Sequence, residues 1–287
     1  MNSHVRVLQC VIILASGCWL VPHLFSQDTG AAPPARTAAL LSLQKPEGSS
    51  EKMLTNYVEI GGEHLSLTNG FGMWQGVYAR SVLNAGSEVL SGELDEQHEF
   101  GDSGIYCALG ETHNFSANTY ASITLGSSIG GFFLPFYRGD AFINHKWLAR
   151  KQLITTLGLG YYAAKDPHRD RSLSAGTTYY FAKPWIVEDG ARFNVSNPGG
   201  VLSPSGFIAV TQGTNKHHYI TARASYGQEA YQIIGPSNIL SSFRSQTFTI
   251  TWRQWIGRNW GTNGVADYYG SPYYTRVGGT LGLFREF

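Results

Sequence analysis

From Tyr57 to the C-terminus, the sequence repeats segments of about ten residues in which polar and apolar side chains alternate, and each segment ends in a turn. The clearest segment runs from Thr247 to Arg253, where Thr and Arg alternate with Phe, Ile and Trp. Because successive strand side chains point to opposite faces, such a segment has one polar and one apolar face. No apolar run of ~18 residues follows Tyr57, which argues against transmembrane helices there. The pattern therefore predicts amphipathic β-strands.

The spacing of these strands predicts an all-β fold, a single antiparallel transmembrane β-barrel of about 12–14 strands. Every second connection is short, whereas the intervening links 129–135, 163–170, 196–203 and 229–245 are longer. Short turns at one end and longer loops at the other are typical of outer-membrane barrels, and an even strand number returns both chain ends to the periplasm. The predicted strands are 57–67, 72–83, 89–99, 104–113, 118–128, 136–146, 152–162, 171–181, 185–195, 204–213, 217–228, 246–256, 259–269 and 274–287.

Composition agrees with a barrel and excludes several other classes. Charged residues make up only 14% of the chain and aromatic residues 13%. The net charge is only +1, and the sequence contains no concentrated patch of basic residues. No nucleic-acid partner is therefore expected. Cys107 is the one cysteine after the N-terminal segment, which excludes an intramolecular disulfide and a cysteine-rich zinc site in the mature chain.

The N-terminal residues read as an export signal. Arg6 precedes an apolar core from Val7 to Leu20, so 1–26 is predicted to be a signal peptide. An uncleaved anchor and lipid attachment at Cys18 are the alternatives. Residues 27–56 are rich in Gly, Ala, Ser and Pro, and we expect a flexible periplasmic arm before the barrel domain of 57–287.

Aromatic residues cluster near the ends of the predicted strands. Amphipathic rings favour the headgroup level of a membrane, so this distribution favours interfacial girdles, with ordinary strand aromatics as the alternative. The residues are Trp74, Trp147, Trp185, Trp255, Trp260, Tyr268, Tyr269, Tyr273 and Tyr274.

The C-terminal strand carries the most specific pattern. Residues 273–287 read Tyr-Tyr-Thr-Arg-Val-Gly-Gly-Thr-Leu-Gly-Leu-Phe-Arg-Glu-Phe. A last strand ending in Phe287 resembles the assembly signal of outer-membrane barrels, and the form Tyr-x-Arg-x-Gly…Gly-Leu-x-x-x-Phe is similar to the end of the YaiO family of outer-membrane β-barrels. The resemblance implies outer-membrane location, contact with lipid and recognition of the last strand by the barrel-assembly machinery, and it implies no catalytic residues. Further similar positions are Gly213, Tyr219, Arg223, Gly227, Glu229, Trp252 and Trp255.

Charged residues on the polar faces are the candidate functional residues. The alternation predicts that Glu188, Arg192, Arg223, Arg253 and Arg276 face the lumen. Acidic residues gather early in the barrel and allow two interpretations. They form an acidic wall that selects cations or acts on sugars, or they are lumen charges that are offset by basic residues such as Arg80. We favour the second interpretation. The acidic residues are Glu59, Glu63, Glu88, Glu93, Asp95, Glu96 and Glu99.

No pattern in the sequence predicts catalysis, a cofactor or a metal. Gly126 to Gly130 matches Gly-x-Ser-x-Gly, but that motif needs a strand-to-helix elbow and here it ends a predicted strand. We therefore expect a passive barrel, a narrow pore or a surface or export component. An outer-membrane enzyme acting on lipid or glycan, and a structural barrel that docks a periplasmic partner through its arm, remain the alternatives. The apolar segment 229–245 is expected to be an outer loop that folds inward as a plug or contacts a ligand or partner, with a loop packed on its neighbours as the alternative.

Overall fold

The alternating segments form strands that close on themselves. The computed structural model describes residues 56–182, 184–235 and 238–287, so the predicted signal peptide and nearly all of the expected arm lie outside the described residues. Each strand pairs antiparallel with its sequence neighbours, and β14 pairs with β1, so the sheet has no free edge. The predicted barrel is confirmed, with fourteen strands. The strands are β1 (Tyr57–Leu67), β2 (Met73–Ala85), β3 (Glu88–Glu99), β4 (Asp102–Asn114), β5 (Thr119–Gly130), β6 (Tyr137–Trp147), β7 (Leu153–Ala163), β8 (Arg169–Tyr180), β9 (Trp185–Asn197), β10 (Val201–Thr214), β11 (His218–Gly235), β12 (Asn238–Gly257), β13 (Trp260–Gly270) and β14 (Thr275–Glu286).

The two faces of the sheet differ because the side chains alternate. In β1, Glu59 is 2% exposed while its neighbour Ile60 is 63% exposed. In β9, Asn194 is 4% exposed and Phe193 is 51% exposed. The outer face thus carries large apolar side chains that suit lipid, and the polar side chains line the lumen. We call the end that holds Tyr57 the proximal mouth and the opposite end the distal mouth.

Strands β11 and β12 extend well beyond the predicted length. Their ladder continues from the pair Gln228 and Arg244 to the pair Gly235 and Asn238. The prediction of a loop over 229–245 is therefore wrong, because backbone hydrogen bonds prolong the hairpin where the side-chain alternation had stopped. Three other links expected to be long are also shorter than predicted, at 131–136, 164–168 and 198–200.

The aromatic residues near strand ends divide between the two faces. Trp147, Trp185 and Trp260 point outward near the proximal mouth, and Tyr268 points outward nearer the distal mouth. Such rings suit the two membrane interfaces. The interfacial interpretation is wrong for four other residues, which are buried inside the barrel: Trp74, Trp255, Tyr269 and Tyr274.

The barrel is wider than the eight-stranded barrels whose interiors are filled by side chains. Fourteen strands about 4.8 Å apart and tilted by about 40° enclose a backbone cylinder of roughly 28 Å diameter. Buried apolar side chains cluster near the two mouths, around Phe133 and Leu134 at the distal one and around Tyr57 and Val82 at the proximal one. Among the described residues, no helix is both long and apolar enough to span a membrane.

Candidate functional site

Arginines of the inner wall pair with carboxylates on the same strand, on the neighbouring strand or two strands away. Arg80 Nε lies 2.8 Å from Glu93 Oε1, and both side chains are at least nine-tenths buried. Arg276 Nη2 lies 2.9 Å from Asp267 Oδ1, again with both side chains 9% exposed. Ion pairs this well buried hold both side chains against the wall. Two further pairs are Arg138 with Asp140 at 2.9 Å and Arg253 with Glu286 at 3.4 Å.

The five residues predicted to line the lumen lie on four different strands. Arg253 is 6% exposed and Arg276 is 7% exposed. In the strand register, the buried Ala209 of β10 lies opposite Glu188 of β9 and opposite Arg223 of β11. Arg192 of β9 lies opposite Ser205 of β10. Because they are spread around the wall, these side chains do not form one compact cluster.

A polar network at the proximal mouth converges on Glu286, which is 6% exposed. Arg253 Nη2 and Trp255 Nε1 donate to its Oε1 at 3.4 and 3.2 Å, and Lys216 donates to its other oxygen. The Arg253 guanidinium also stacks 3.6 Å from the centre of the Phe284 ring. The network joins β12, β14 and the β10–β11 link. Sequence reasoning missed Glu286, although it alternates with the outward Arg and Phe of the last strand.

Several aromatic rings of the inner wall lie flat over glycines of the next strand. Tyr78 of β2 lies over Gly61 of β1 and places its hydroxyl against Gly282 of β14, and Tyr106 of β4 lies over Gly126 of β5. A Cβ at any of these glycines would overlap the tyrosine side chain. Glycine thus makes room for a ring to lie along the wall, an arrangement that also stabilises glycine-containing strands. These rings therefore do not project into the lumen.

The distal part of the β11–β12 hairpin, around Tyr231 and Gln232, crosses the distal mouth. Tyr231 donates its hydroxyl to Asp170 Oδ2 at 3.1 Å and stacks on His168 with ring centres 3.8 Å apart, both near β8. The next residue, Gln232, donates to the hydroxyl of Tyr274 at 2.5 Å, in the β13–β14 link. Since neighbouring strand residues point to opposite faces, the hairpin stands between two walls of the barrel and contacts both. This arrangement agrees with the expected inward-folding segment, formed by a hairpin rather than a loop.

Aromatic side chains surround the hairpin on the β13–β14 side. Tyr269 donates its hydroxyl to Glu229 Oε1 at 2.7 Å. Tyr274 is 1% exposed, and burial raises the pKa of its hydroxyl above the usual value. Its ring lies 5.1 Å from Phe71 and 6.4 Å from Trp74. The distal mouth is therefore narrowed by rings as well as by the hairpin.

The β5–β6 link, residues 131–136, also folds into the distal mouth. Its Phe133 and Leu134 are 7% and 5% exposed. Ser127 and Ser128 donate their hydroxyls to backbone carbonyls of this link at 2.8 and 2.5 Å. The Gly-x-Ser-x-Gly pattern therefore lies at the end of β5, without the strand-to-helix elbow that the motif needs, and its serines anchor the link.

Several buried polar atoms below the hairpin have no hydrogen-bond partner among the described residues. They include Glu99 Oε2, Asp170 Oδ1, Asn194 Oδ1 and Gln232 Oε1, which are all acceptors. The four residues are between 0% and 4% exposed. A buried polar atom without a partner costs about 1–3 kcal/mol, so this region is suited to water or to a solute that donates hydrogen bonds.

A separate cluster on the outer face, at the proximal end, was not predicted from the sequence. One ligand atom from each of Glu88, Glu111 and His113 lies within 4.8 Å of the others. His113 Nδ1 is also hydrogen-bonded to Glu88. The sequence spacing of the histidines could not reveal this cluster, because strand pairing brings its residues together. The cluster lies outside the lumen. The interpretation of the early acidic residues as lumen charges is therefore wrong for Glu88, and it is also wrong for Glu96, which alternates with the buried Asp95 and Gln97.

Comparisons with known proteins agree with this architecture. The family model described as the YaiO membrane beta barrel domain matches residues 55–232. The chain belongs to the YaiO family. The C-terminal pattern that suggested the family lies beyond the matched residues, in β14. Membership makes this YaiO-family protein an integral outer-membrane barrel. No curated protein matches the sequence.

Two solved structures that are similar to this YaiO-family barrel are a hydrocarbon channel and a toluene transporter. The CymD monoaromatic hydrocarbon channel has a TM-score of 0.59 at 8% identity, covering 87% of this chain and 91% of its own. The toluene transporter TodX of Pseudomonas putida has a TM-score of 0.55 at 10% identity, covering 87% of this chain and 93% of its own. At such low identity the likeness shows a shared fold.

Proposed function

We propose that this YaiO-family barrel is a narrow, water-filled pore for small solutes, with its proximal mouth in the periplasm and its distal mouth at the cell surface. The main support is the lining of its central section, where charged side chains are held against the wall by ion pairs such as Arg80 with Glu93. Rings such as Tyr78 are laid flat over glycines. Both features leave the middle of a wide barrel to water.

The β11–β12 hairpin is the proposed restriction of this pore. Its contacts across the mouth are mainly hydrogen bonds, from Tyr231 to Asp170 and from Gln232 to Tyr274. Water can replace hydrogen bonds when the hairpin moves, whereas a large apolar contact would resist separation. The pore is therefore expected to alternate between a closed and an open distal mouth.

Assembly is proposed to depend on the last strand. Phe287 is 58% exposed on the outer face, and its backbone N–H donates to the carbonyl of Asn56 at 2.9 Å. The ring is thus available to the barrel-assembly machinery and then to lipid, while the backbone completes the β14–β1 seam.

Solute entry into liposomes tests the proposed pore. Protein refolded into liposomes should make them swell in isotonic solutions of small polar solutes, at a rate that falls as solute size increases. The control is the same preparation after heat denaturation, which removes the barrel. Swelling no faster than in the denatured control would refute the pore and favour a docking or enzymatic role.

A further inference from the structure

We propose that the lumen selects cations over anions, an inference that rests on the proposed pore. Arg138, Arg253 and Arg276 each pair with one carboxylate, and Arg80 pairs with two, Glu93 and Asp95. To this extent the lumen charges offset each other. Further carboxylates remain on the inner wall, at Glu59, Glu63, Glu99, Asp170, Glu188 and Glu229. Fewer basic residues remain at inward-facing strand positions outside these ion pairs, namely Lys146, Arg192 and Arg223. The described inner wall therefore carries an excess of acidic groups.

Neutral donors hold several of these additional carboxylates in place. Glu59 accepts hydrogen bonds from Tyr78 at 3.0 Å and from Asn263 at 2.5 Å. Asp170 accepts one from Tyr231. A neutral donor orients the Glu59 carboxylate without supplying a positive charge that would cancel the charge of that carboxylate.

The acceptor oxygens below the hairpin strengthen the argument at the distal mouth. Glu99 and Asp170 are 3% and 0% exposed, and each has one carboxylate oxygen without a hydrogen-bond partner among the described residues. Asn194 and Gln232 add amide oxygens in the same state. Oxygen acceptors attract cations and ammonium groups and repel anions.

The surroundings of the lumen amplify this excess of charge. A narrow water path between low-dielectric walls concentrates the field of the wall charges and raises the local concentration of counter-ions. Rings of carboxylates are the usual basis of cation preference in pores. The favoured solutes are therefore inorganic cations and small amines.

The test is the zero-current potential of the refolded protein in a planar bilayer that separates two KCl concentrations. The sign should show K⁺ permeating better than Cl⁻, by roughly twofold or more. The double variant Glu59→Gln/Glu63→Gln keeps the side-chain shapes and should lower this ratio. The control Glu111→Gln removes an outer-face carboxylate and should leave the ratio unchanged.

Each outcome bears on one part of the argument. Conductance with a ratio of one, or with Cl⁻ preferred, overturns the cation selectivity and leaves the pore intact. An equal loss of preference in Glu111→Gln and in the double variant also overturns it, since the effect would then not come from the lumen. Absence of conductance in the inserted wild-type protein refutes the pore itself. The wild-type potential decides the sign even if the double variant fails to fold.

Discussion

The hydrogen bond from Tyr231 to Asp170 should control how often the distal mouth opens. Tyr231→Phe removes the hydroxyl that donates at 3.1 Å to a carboxylate that is 0% exposed. A hydrogen bond to a charged group contributes about 1.5–3 kcal/mol. Because about 1.4 kcal/mol corresponds to a tenfold change in an equilibrium, the ratio of closed to open states should fall by roughly 10- to 100-fold.

Single-channel recording in a planar bilayer measures this ratio directly. Tyr231→Phe should shorten the closed intervals and leave the conductance of the open state unchanged, because the wall of the pore is intact. Tyr226→Phe is the matched control, since Tyr226 lies on the same strand but is 56% exposed on the outer face. Equal open fractions in wild type and Tyr231→Phe would refute the idea that this contact holds the mouth closed.

Three further substitutions test other parts of the barrel. Gly126→Val should force the Tyr106 ring away from the wall and lower the open-state conductance of folded protein, and an unchanged conductance would contradict the role assigned to the glycine. Glu286→Ala leaves Arg253 without its carboxylate and should lower the free energy of unfolding by about 3–5 kcal/mol, measured by urea titration of the refolded barrel. Deletion of Phe287 should reduce the amount of folded protein in the outer membrane of cells, whereas refolding in detergent should be little affected.

The barrel itself was predictable because alternation acts within each strand. In Thr247–Arg253 every second side chain is polar, and in β9 Glu188, Arg192 and Asn194 share one face, so burial largely follows a period of two. Asp189 interrupted the pattern in the sequence, and the structure places it on the outer face, where it accepts a hydrogen bond from the backbone N–H of Thr177 at 3.2 Å. The register of β9 is thus the expected one, with one polar residue on the apolar face.

The closure of the distal mouth could not be predicted from the sequence, because it depends on contacts between distant strands. Tyr231 and Asp170 are 61 positions apart, and Glu229 reaches Tyr269 over 40 positions. The apolar composition of 229–245 suggested an inward segment but gave no sign that it remains a β-hairpin. The sequence also could not predict that Trp74 lies inside the barrel. An aromatic residue near a strand end suits a lipid interface as well as a narrowed mouth.

Ion conductance in a planar bilayer tests most directly the central claim that the barrel is a pore closed by the β11–β12 hairpin. The measurement compares the refolded wild-type protein with a variant that has a shortened hairpin. In this variant an Asn-Gly turn replaces residues 229–243 between the paired residues Gln228 and Arg244. A pore closed by the hairpin predicts discrete openings of the wild type and a larger open fraction in the shortened variant. Stable insertion of both proteins without conductance would contradict the account, because neither the lumen nor the hairpin would then govern a path through the membrane.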